Sequence, residues 1–326
     1  MTGTADDRRW MSAALALGER ARARTAPNPN VGCVIVREDA VVGRGWTQPG
    51  GRPHAEAMAL AEAGDRARGA TAYVTLEPCA HRSSRGPACA DLLVWAGVTR
   101  VVAALRDPDP RTDGAGLARL AAAGIATGIG VRADDAARSM AGFLTRRRLG
   151  RPHVTLKLAL SLDGAAAMAD GRSKWITGPE ARGHAHLERS RHEAILVGRG
   201  TWEADTPGLD VRLAGLEDRS PVRVLLSSDR SSSGSDSGVT VIAAPAEIAA
   251  LPGDHVLIEG GARAAAAFLA ADLVDRLLLY RAPVIVGGGR TLPDIGLTDL
   301  SHAHGRWRLT DARALGVDRV EVYERG

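Results

Sequence analysis

Three features of the sequence predict an α/β protein of two domains. At 326 residues the chain exceeds what a single hydrophobic core usually supports. Short β-branched runs alternate with helical patterns in both halves. Between the halves, Phe143 to Pro152 gathers Arg146, Arg147 and Arg148 ahead of Gly150 and Pro152. Such a run reads as a solvated, dipole-favoured helix end that stops in turn residues, and it suits a linker. The domains are therefore expected over residues 1–147 and 152–326.

The first half opens with an amphipathic helix over 6–24, on which Trp10, Ala13, Ala14 and Leu17 share a face. A rigid loop, Ala26-Pro27-Asn28-Pro29-Asn30, feeds the apolar run Val31–Val36. That run is short, β-branched and bounded by turn residues, so it reads as a buried strand, with Cys33 a small core residue inside it. A strand near 41–47 follows, and a helix opens at His54. A third strand, Tyr73–Leu76, leads into Pro78-Cys79, where another helix is expected to begin. A helix over 87–97, a strand over 100–105, a helix over 115–123, a strand over 125–129 and a helix over 133–147 complete a mixed layer with helices on both faces.

The second half restarts with a strand over 154–160. A helix over 179–192 precedes a strand over 194–197. Strands at 222–227, 239–243, 255–258 and 275–281 and a helix over 262–271 follow. Residues 227–238 are almost all Ser, Gly, Asp and Arg and read as a flexible loop. There is no internal repeat.

Composition narrows the function classes. The net charge is +4 and the pI near 9.3, but the arginines are scattered, which suits anionic small substrates as well as a general nucleic-acid patch. Three cysteines in so long a chain argue for metal or core use and against a disulfide framework. The first ten residues hold Asp6-Asp7-Arg8-Arg9 and no apolar h-region, and no run approaches 18 apolar residues. The expectation is a cytoplasmic protein without signal peptide or membrane span.

The chemistry concentrates between His54 and Cys89. His54-Ala55-Glu56, then Pro78-Cys79, then Cys89 form the pattern of a zinc deaminase, in which one His and two Cys hold the metal and a non-ligating Glu moves protons. Three protein ligands leave the fourth zinc position to water, whose pKa falls to about 7, so hydroxide is available at neutral pH. Helix N-termini at Cys79 and Cys89 would lower both thiol pKa values. A closed structural zinc site, with His81 as fourth ligand beside His54, Cys79 and Cys89, is the competing interpretation. The His-Ala-Glu and Pro-Cys pairings favour the catalytic one.

Spacing sets the subtype. Deaminases of nucleic acids and free nucleosides typically carry Pro-Cys-x-x-Cys, whereas nine residues separate Cys79 from Cys89 here, His81, Arg82 and Arg85 among them. The strings Pro27-Asn28-Pro29-Asn30-Val31-Gly32-Cys33-Val34, Pro53-His54-Ala55-Glu56, Glu77-Pro78-Cys79-Ala80-His81 and Asp107-Pro108-Asp109-Pro110 carry a resemblance that extends over nearly the whole chain. The sequence resembles the bifunctional riboflavin-biosynthesis enzymes, a diaminohydroxyphosphoribosylaminopyrimidine deaminase fused to a 5-amino-6-(5-phosphoribosylamino)uracil reductase. That resemblance implies a cytidine-deaminase-like α/β/α domain with His54, Cys79 and Cys89 as zinc ligands and Glu56 as proton shuttle. Asn28 would meet the pyrimidine edge, and His81 and Arg85 the substrate and its phosphate. The family usually runs Cys-x-His-x-Gly-x-Thr-Pro-Pro-Cys, and the loop here is one residue longer.

A reductase needs a dinucleotide site. Gly128-Ile129-Gly130 loosely fits the glycine fingerprint, yet no acidic residue follows about 20 positions on. It reads as a plain strand-to-helix turn. The resemblance supplies a dihydrofolate-reductase-like fold for the second half, on strings such as Lys157–Gly164, Ser173–Thr177 and Glu259-Gly260-Gly261. It implies that Ala159, Trp175, Thr201, Asp205 and Gly261 border NADPH. It also implies that Lys157, Ser173, Arg189, Leu209, Arg212 and Glu259 border the phosphosugar, with Arg189 and Arg212 suited to bidentate phosphate pairing.

The expected function is hydrolytic removal of the 2-amino group of 2,5-diamino-6-(5-phosphoribosylamino)pyrimidin-4(3H)-one. NADPH reduction of the ribosyl chain to ribityl follows. A homo-oligomer acting on phosphorylated pyrimidines, without nucleic-acid or membrane partners, is expected. The alternatives are a paralogue acting on a related pyrimidine or pteridine, a nucleic-acid deaminase, and a non-catalytic zinc module fused to a reductase. Aromatics at 3% argue against the base-stacking groove that the nucleic-acid reading needs.

Overall fold

The computed structural model describes residues 3–81, 85–229 and 238–326. Arg82, and residues 230–237 of the Ser-rich loop, lie outside them. The chain divides into two compact units, Met1–Gly150 and Arg151–Gly326.

The first unit carries a five-stranded sheet in the order β2-β1-β3-β4-β5. The strands are β1 (Gly32–Arg37), β2 (Ala40–Trp46), β3 (Thr71–Val74), β4 (Arg100–Ala103) and β5 (Ala126–Ile129). Strand β1 runs antiparallel to β2 and β3, while β3, β4 and β5 are parallel. The helices are α1 (Ala5–Glu19), α2 (Ala55–Ala63), α3 (Cys89–Ala96), α4 (Ala115–Ala122), α5 (Ala133–Ser139) and α6 (Ala141–Leu149).

Glycines bring the helices close to the sheet. A Cβ on Gly32 would come within 1.9 Å of the Ala14 carbonyl oxygen of α1, and one on Gly45 within 2.1 Å of the Ala55 carbonyl oxygen of α2. Gly45 pairs with Cys33 and Gly32 with Trp46, so Gly32 and Gly45 face opposite sides of the sheet. Helices α1 and α2 therefore cover opposite faces. The contact at Gly45 also fixes the N-terminal turn of α2, which carries His54 and Glu56.

Helix α1 starts in a capping box, with the Asp7 N–H donating to Thr4 Oγ1 and the Thr4 N–H to Asp7 Oδ2, each at 3.1 Å. Buried Asp7 also accepts from Arg100 Nη1 at 2.7 Å and Tyr73 Oη at 3.0 Å, tying the helix start to β3 and β4. The Arg100 guanidinium holds the Asp7 carboxyl down to about 2. Two expected helices are shorter than expected. The first ends at Glu19, with Ala23 beyond it at positive φ, and the one expected over 133–147 breaks at Met140. There the Asn30 amide donates to the Ser139 carbonyl at 3.3 Å.

The second unit is an eight-stranded sheet in the order β12-β13-β11-β6-β10-β7-β8-β9. Its strands are β6 (His153–Leu160), β7 (Ala194–Gly198), β8 (Val222–Leu226), β9 (Val239–Ile242), β10 (His255–Ile258), β11 (Arg276–Arg281), β12 (Trp307–Leu315) and β13 (Asp318–Arg325). All pairings from β11 to β9 are parallel, and β13 runs antiparallel to both of its neighbours. Helices α7 (Pro179–Arg189), α8 (Arg199–Asp205) and α9 (Ala262–Ala270) belong to this unit. Helix α8 and the β12–β13 hairpin have no counterpart in the sequence-based expectation. The hairpin turns on Gly316-Val317, with Gly316 at φ 62°.

Candidate active sites

The first site forms where α2, α3 and the segment after β3 meet. His54 is the extended residue before α2, and Glu56, 4% exposed, lies in that helix's first turn. Cys89 opens α3, as expected. Cys79 does not open a helix: it lies in an irregular segment, and the helix end that reaches its thiol is that of α3. Its polar partners are local. The Cys89 N–H donates to Cys79 Sγ at 3.3 Å, and His54 Nδ1 lies 3.7 Å from it. Hydrogen bonding from the Cys89 thiol, with His54 alongside, pulls the Cys79 thiol well down, and the same hydrogen bond, with burial, pushes the Cys89 thiol up. Burial raises Glu56 to about 7.

His54 Nδ1, Cys79 Sγ and Cys89 Sγ all lie within 4.8 Å of one another. Among the described residues this is the one cluster of metal-binding donors, and His81 is not part of it. Two thiols, one already inclined to ionise, and an imidazole make a donor set that fits zinc with one position open. Cys33 is fully buried in the core.

Glu77 explains how the irregular segment is held. Its buried carboxylate accepts from the backbone N–H groups of Asp107, Gly114, Gly116 and Leu117 at 3.0–3.3 Å. It thereby satisfies the start of α4, and Pro78 packs so close to Gly116 that a Cβ there would be 1.9 Å from the Pro78 carbonyl oxygen.

A cavity of about 280 Å³ opens over this centre, bordered by Asn28, His54, Glu56, Cys79, His81 and Arg85. The Asn28 amide nitrogen donates to the Gly51 carbonyl at 2.7 Å and lies 3.0 Å from His54 Nε2, which leaves its Oδ1 for an incoming group. His81 Nδ1 lies 3.4 Å from Thr112 Oγ1. Sequence reasoning gave no role to Arg52, Asp107, Asp109, Arg111 and Arg147, which line the same cavity. The Asp107-Pro108-Asp109-Pro110 string was the available signal for two of them.

The second site is a cavity of about 780 Å³ in the second unit. All five residues expected at NADPH (Ala159, Trp175, Thr201, Asp205 and Gly261) border it. So do all six expected at the phosphosugar (Lys157, Ser173, Arg189, Leu209, Arg212 and Glu259). Thr201 Oγ1 accepts from the Gly261 N–H at 3.1 Å, just before the uncapped start of α9, an end suited to a dinucleotide's phosphates. Trp175 is 68% exposed, with the Arg182 guanidinium 4.9 Å over its ring, and Asp205 pairs with Lys174 at 2.8 Å.

One arginine behaves differently from expectation. Arg189 does not present a vacant fork for phosphate. Its Nε and Nη2 donate to Glu259 at 2.7 and 2.9 Å, and its Nη1 donates to the Asp210 carbonyl at 2.9 Å. The two side chains are largely buried, and a buried carboxylate needs such a partner. Arg212 is 66% exposed and only loosely paired with Asp210 at 3.5 Å. Lys157 Nζ stands 3.9 Å from Glu259 Oε2.

Two domain families match the chain. The cytidine and deoxycytidylate deaminase zinc-binding region covers residues 4–105, and the RibD C-terminal domain covers residues 152–320. The chain is a zinc-binding deaminase fold joined to a RibD-type reductase fold. It is 38% identical to the riboflavin biosynthesis protein RibD of Escherichia coli K12, over 96% of this chain and 97% of that protein. It is 39% identical to RibD of Mycobacterium tuberculosis H37Rv, over 94% of each. Among solved structures, Acinetobacter baumannii RibD superposes with a TM-score of 0.86 at 37% identity, covering 98% of this chain and 99% of that one. The Thermotoga maritima diaminohydroxyphosphoribosylaminopyrimidine deaminase/5-amino-6-(5-phosphoribosylamino)uracil reductase gives 0.88 at 30% identity, with the same coverage. The chain belongs to the RibD family of riboflavin biosynthesis proteins.

Proposed function

We propose that residues 1–147 deaminate 2,5-diamino-6-(5-phosphoribosylamino)pyrimidin-4(3H)-one and residues 152–326 reduce the ribosyl chain of 5-amino-6-(5-phosphoribosylamino)uracil to ribityl. The convergence of His54, Cys79 and Cys89 beside a buried Glu56, in a chain of this family, carries the reading. His54, Cys79 and Cys89 hold zinc, which supplies the Lewis acidity that makes water a nucleophile at neutral pH. Glu56 takes one proton from the attacking water and passes it to a ring nitrogen. It then takes the second from the hydroxyl added to the ring carbon and gives it to the amine, so that the carbonyl forms as the C–N bond breaks and ammonia leaves. Asn28 Oδ1 accepts from the pyrimidine edge. His81 and Arg85 face the sugar phosphate.

In the second cavity NADPH supplies the hydride. Thr201, Gly261, Ala159, Asp205 and Trp175 border the cofactor. Lys157, Ser173, Leu209 and Glu259 border the sugar, with Arg189 holding the Glu259 carboxylate in place and Arg212 left to meet the phosphate. Three free cysteines suit a reducing cytoplasm. A homo-oligomer is the expected assembly, which light scattering of the pure protein tests.

The deciding assay follows ammonia release from the diaminopyrimidine substrate with and without NADPH, alongside zinc content. Ammonia without NADPH, then NADPH oxidation on addition, is the expected result. Zinc without ammonia would move the assignment to a related pyrimidine or pteridine.

A further inference from the structure

Four arginines line the deaminase cavity: Arg52, Arg85, Arg111 and Arg147. Arg111 and Arg147 both donate to the Asp109 carboxylate, at 2.6 and 3.0 Å. Arg85 Nη1 donates to the Gly50 carbonyl at 3.1 Å. Arg52 is half-buried and has neither hydrogen bond nor ion pair among the described residues.

The loop that presents Arg52 is fixed. The Gln48 N–H donates to the Pro53 carbonyl at 3.0 Å, the Gly50 N–H to Arg24 at 2.9 Å, and Asn28 holds the Gly51 carbonyl. Arg52 Nη1 reaches to 3.1 Å from where a Cβ on Gly86 would lie, so its guanidinium rests against the segment that carries Arg85. Two like charges thus line one cavity, each resting against the segment that carries the other. The cavity's acids do not neutralise Arg52. Asp109 is taken by two arginines, the Asp107 Oδ1 accepts from the Asp109 N–H at 2.9 Å, Glu77 is filled by backbone N–H groups, and Glu56 lies beside the thiols. A guanidinium with no partner among the described residues, on a loop held by hydrogen bonds and with Arg85 lining the same cavity, suits an anion from outside, and a phosphate monoester is the anion whose geometry a guanidinium fork matches.

We infer that Arg52 is a phosphate-binding, specificity-determining residue of the deaminase site, gripping the substrate's phosphate together with Arg85. This rests on the deaminase reading above. Arg52→Ala and Arg52→Lys, in the full-length zinc-loaded protein, are compared with wild type on the phosphorylated substrate and on its dephosphorylated ribosyl analogue. Loss of one charge-assisted contact should lower kcat/KM for the phosphorylated substrate by about ten- to a hundredfold in Arg52→Ala, through KM. The analogue's kcat/KM should not change, and Arg52→Lys should recover part of the loss. Inorganic phosphate should inhibit deamination by the wild type competitively and by Arg52→Ala more weakly.

An equal loss on both substrates, or no loss on either, would overturn the assignment. If Arg52→Ala does not accumulate as folded, zinc-loaded protein, Arg52→Lys and the phosphate inhibition of wild type decide. Full activity in Arg52→Lys with no inhibition of wild type by phosphate would again overturn it. A wild type that releases no ammonia from either compound would instead defeat the deaminase reading itself, a result separable from the behaviour of the variants.

Discussion

Glu56 and Asp7 are both buried carboxylates, yet their surroundings shift them in opposite directions. Among the described residues Glu56 has no cation bonded to it, and it sits beside thiols. Glu56→Gln should retain zinc, measured by metal analysis, while ammonia release falls by about 10²–10⁴-fold. Asp7 is ionised and held by Arg100 and Tyr73. Its carboxyl is lowered from 3.8 to about 2, so the stability it contributes is present above pH ~4 and lost as pH falls through about 2. Asp7→Asn should cost about 1–2 kcal/mol at pH 7, given that Arg100 is partly solvated. The difference from wild type in urea midpoints should close between pH 4 and 2. A gap that persisted at pH 2 would mean the loss is of shape and not of charge. The clustering of His54, Cys79 and Cys89 was legible because the types and spacing of such donors are dictated by chemistry. The engagement of Arg189 was not, because nothing in a linear string shows that Glu259, 70 positions away, fills its fork.

At the level of elements, most strands were legible from β-branched runs bounded by turn residues. The misses have physical reasons. Helix α8 is short and follows directly on β7, so its pattern has no room to repeat. The β12 strand lies at the sheet edge and is largely exposed, so it lacks the apolar alternation of a half-buried strand. The helix expected at Cys79 does not form, and Glu77 ties its backbone to α4 instead. Close packing of α2 on β2 offers a test of how the site is positioned. Gly45→Ala places a Cβ 2.1 Å from the Ala55 carbonyl oxygen, so α2 must move and carry His54 with it. The variant should lose about 1–3 kcal/mol of stability and release zinc to a chelator at lower competitor concentration than wild type. Unchanged zinc affinity would show that the His54 position is set elsewhere.

Across the whole molecule, each cavity is lined by residues of one unit alone. Stripping zinc with a chelator should therefore abolish ammonia release and leave NADPH oxidation on the deaminated intermediate intact. Concurrent loss of both activities would show that the second site depends on the first. The two-part organisation was legible in the Arg-rich run before Gly150. The cavities were legible only through resemblance, since no glycine fingerprint marks the second one. The boundary at Gly150 has a genetic corollary. Among the described residues every strand pairing and every cavity-lining residue lies wholly on one side of it, so a gene broken there would still encode two complete sheets, each with its own cavity.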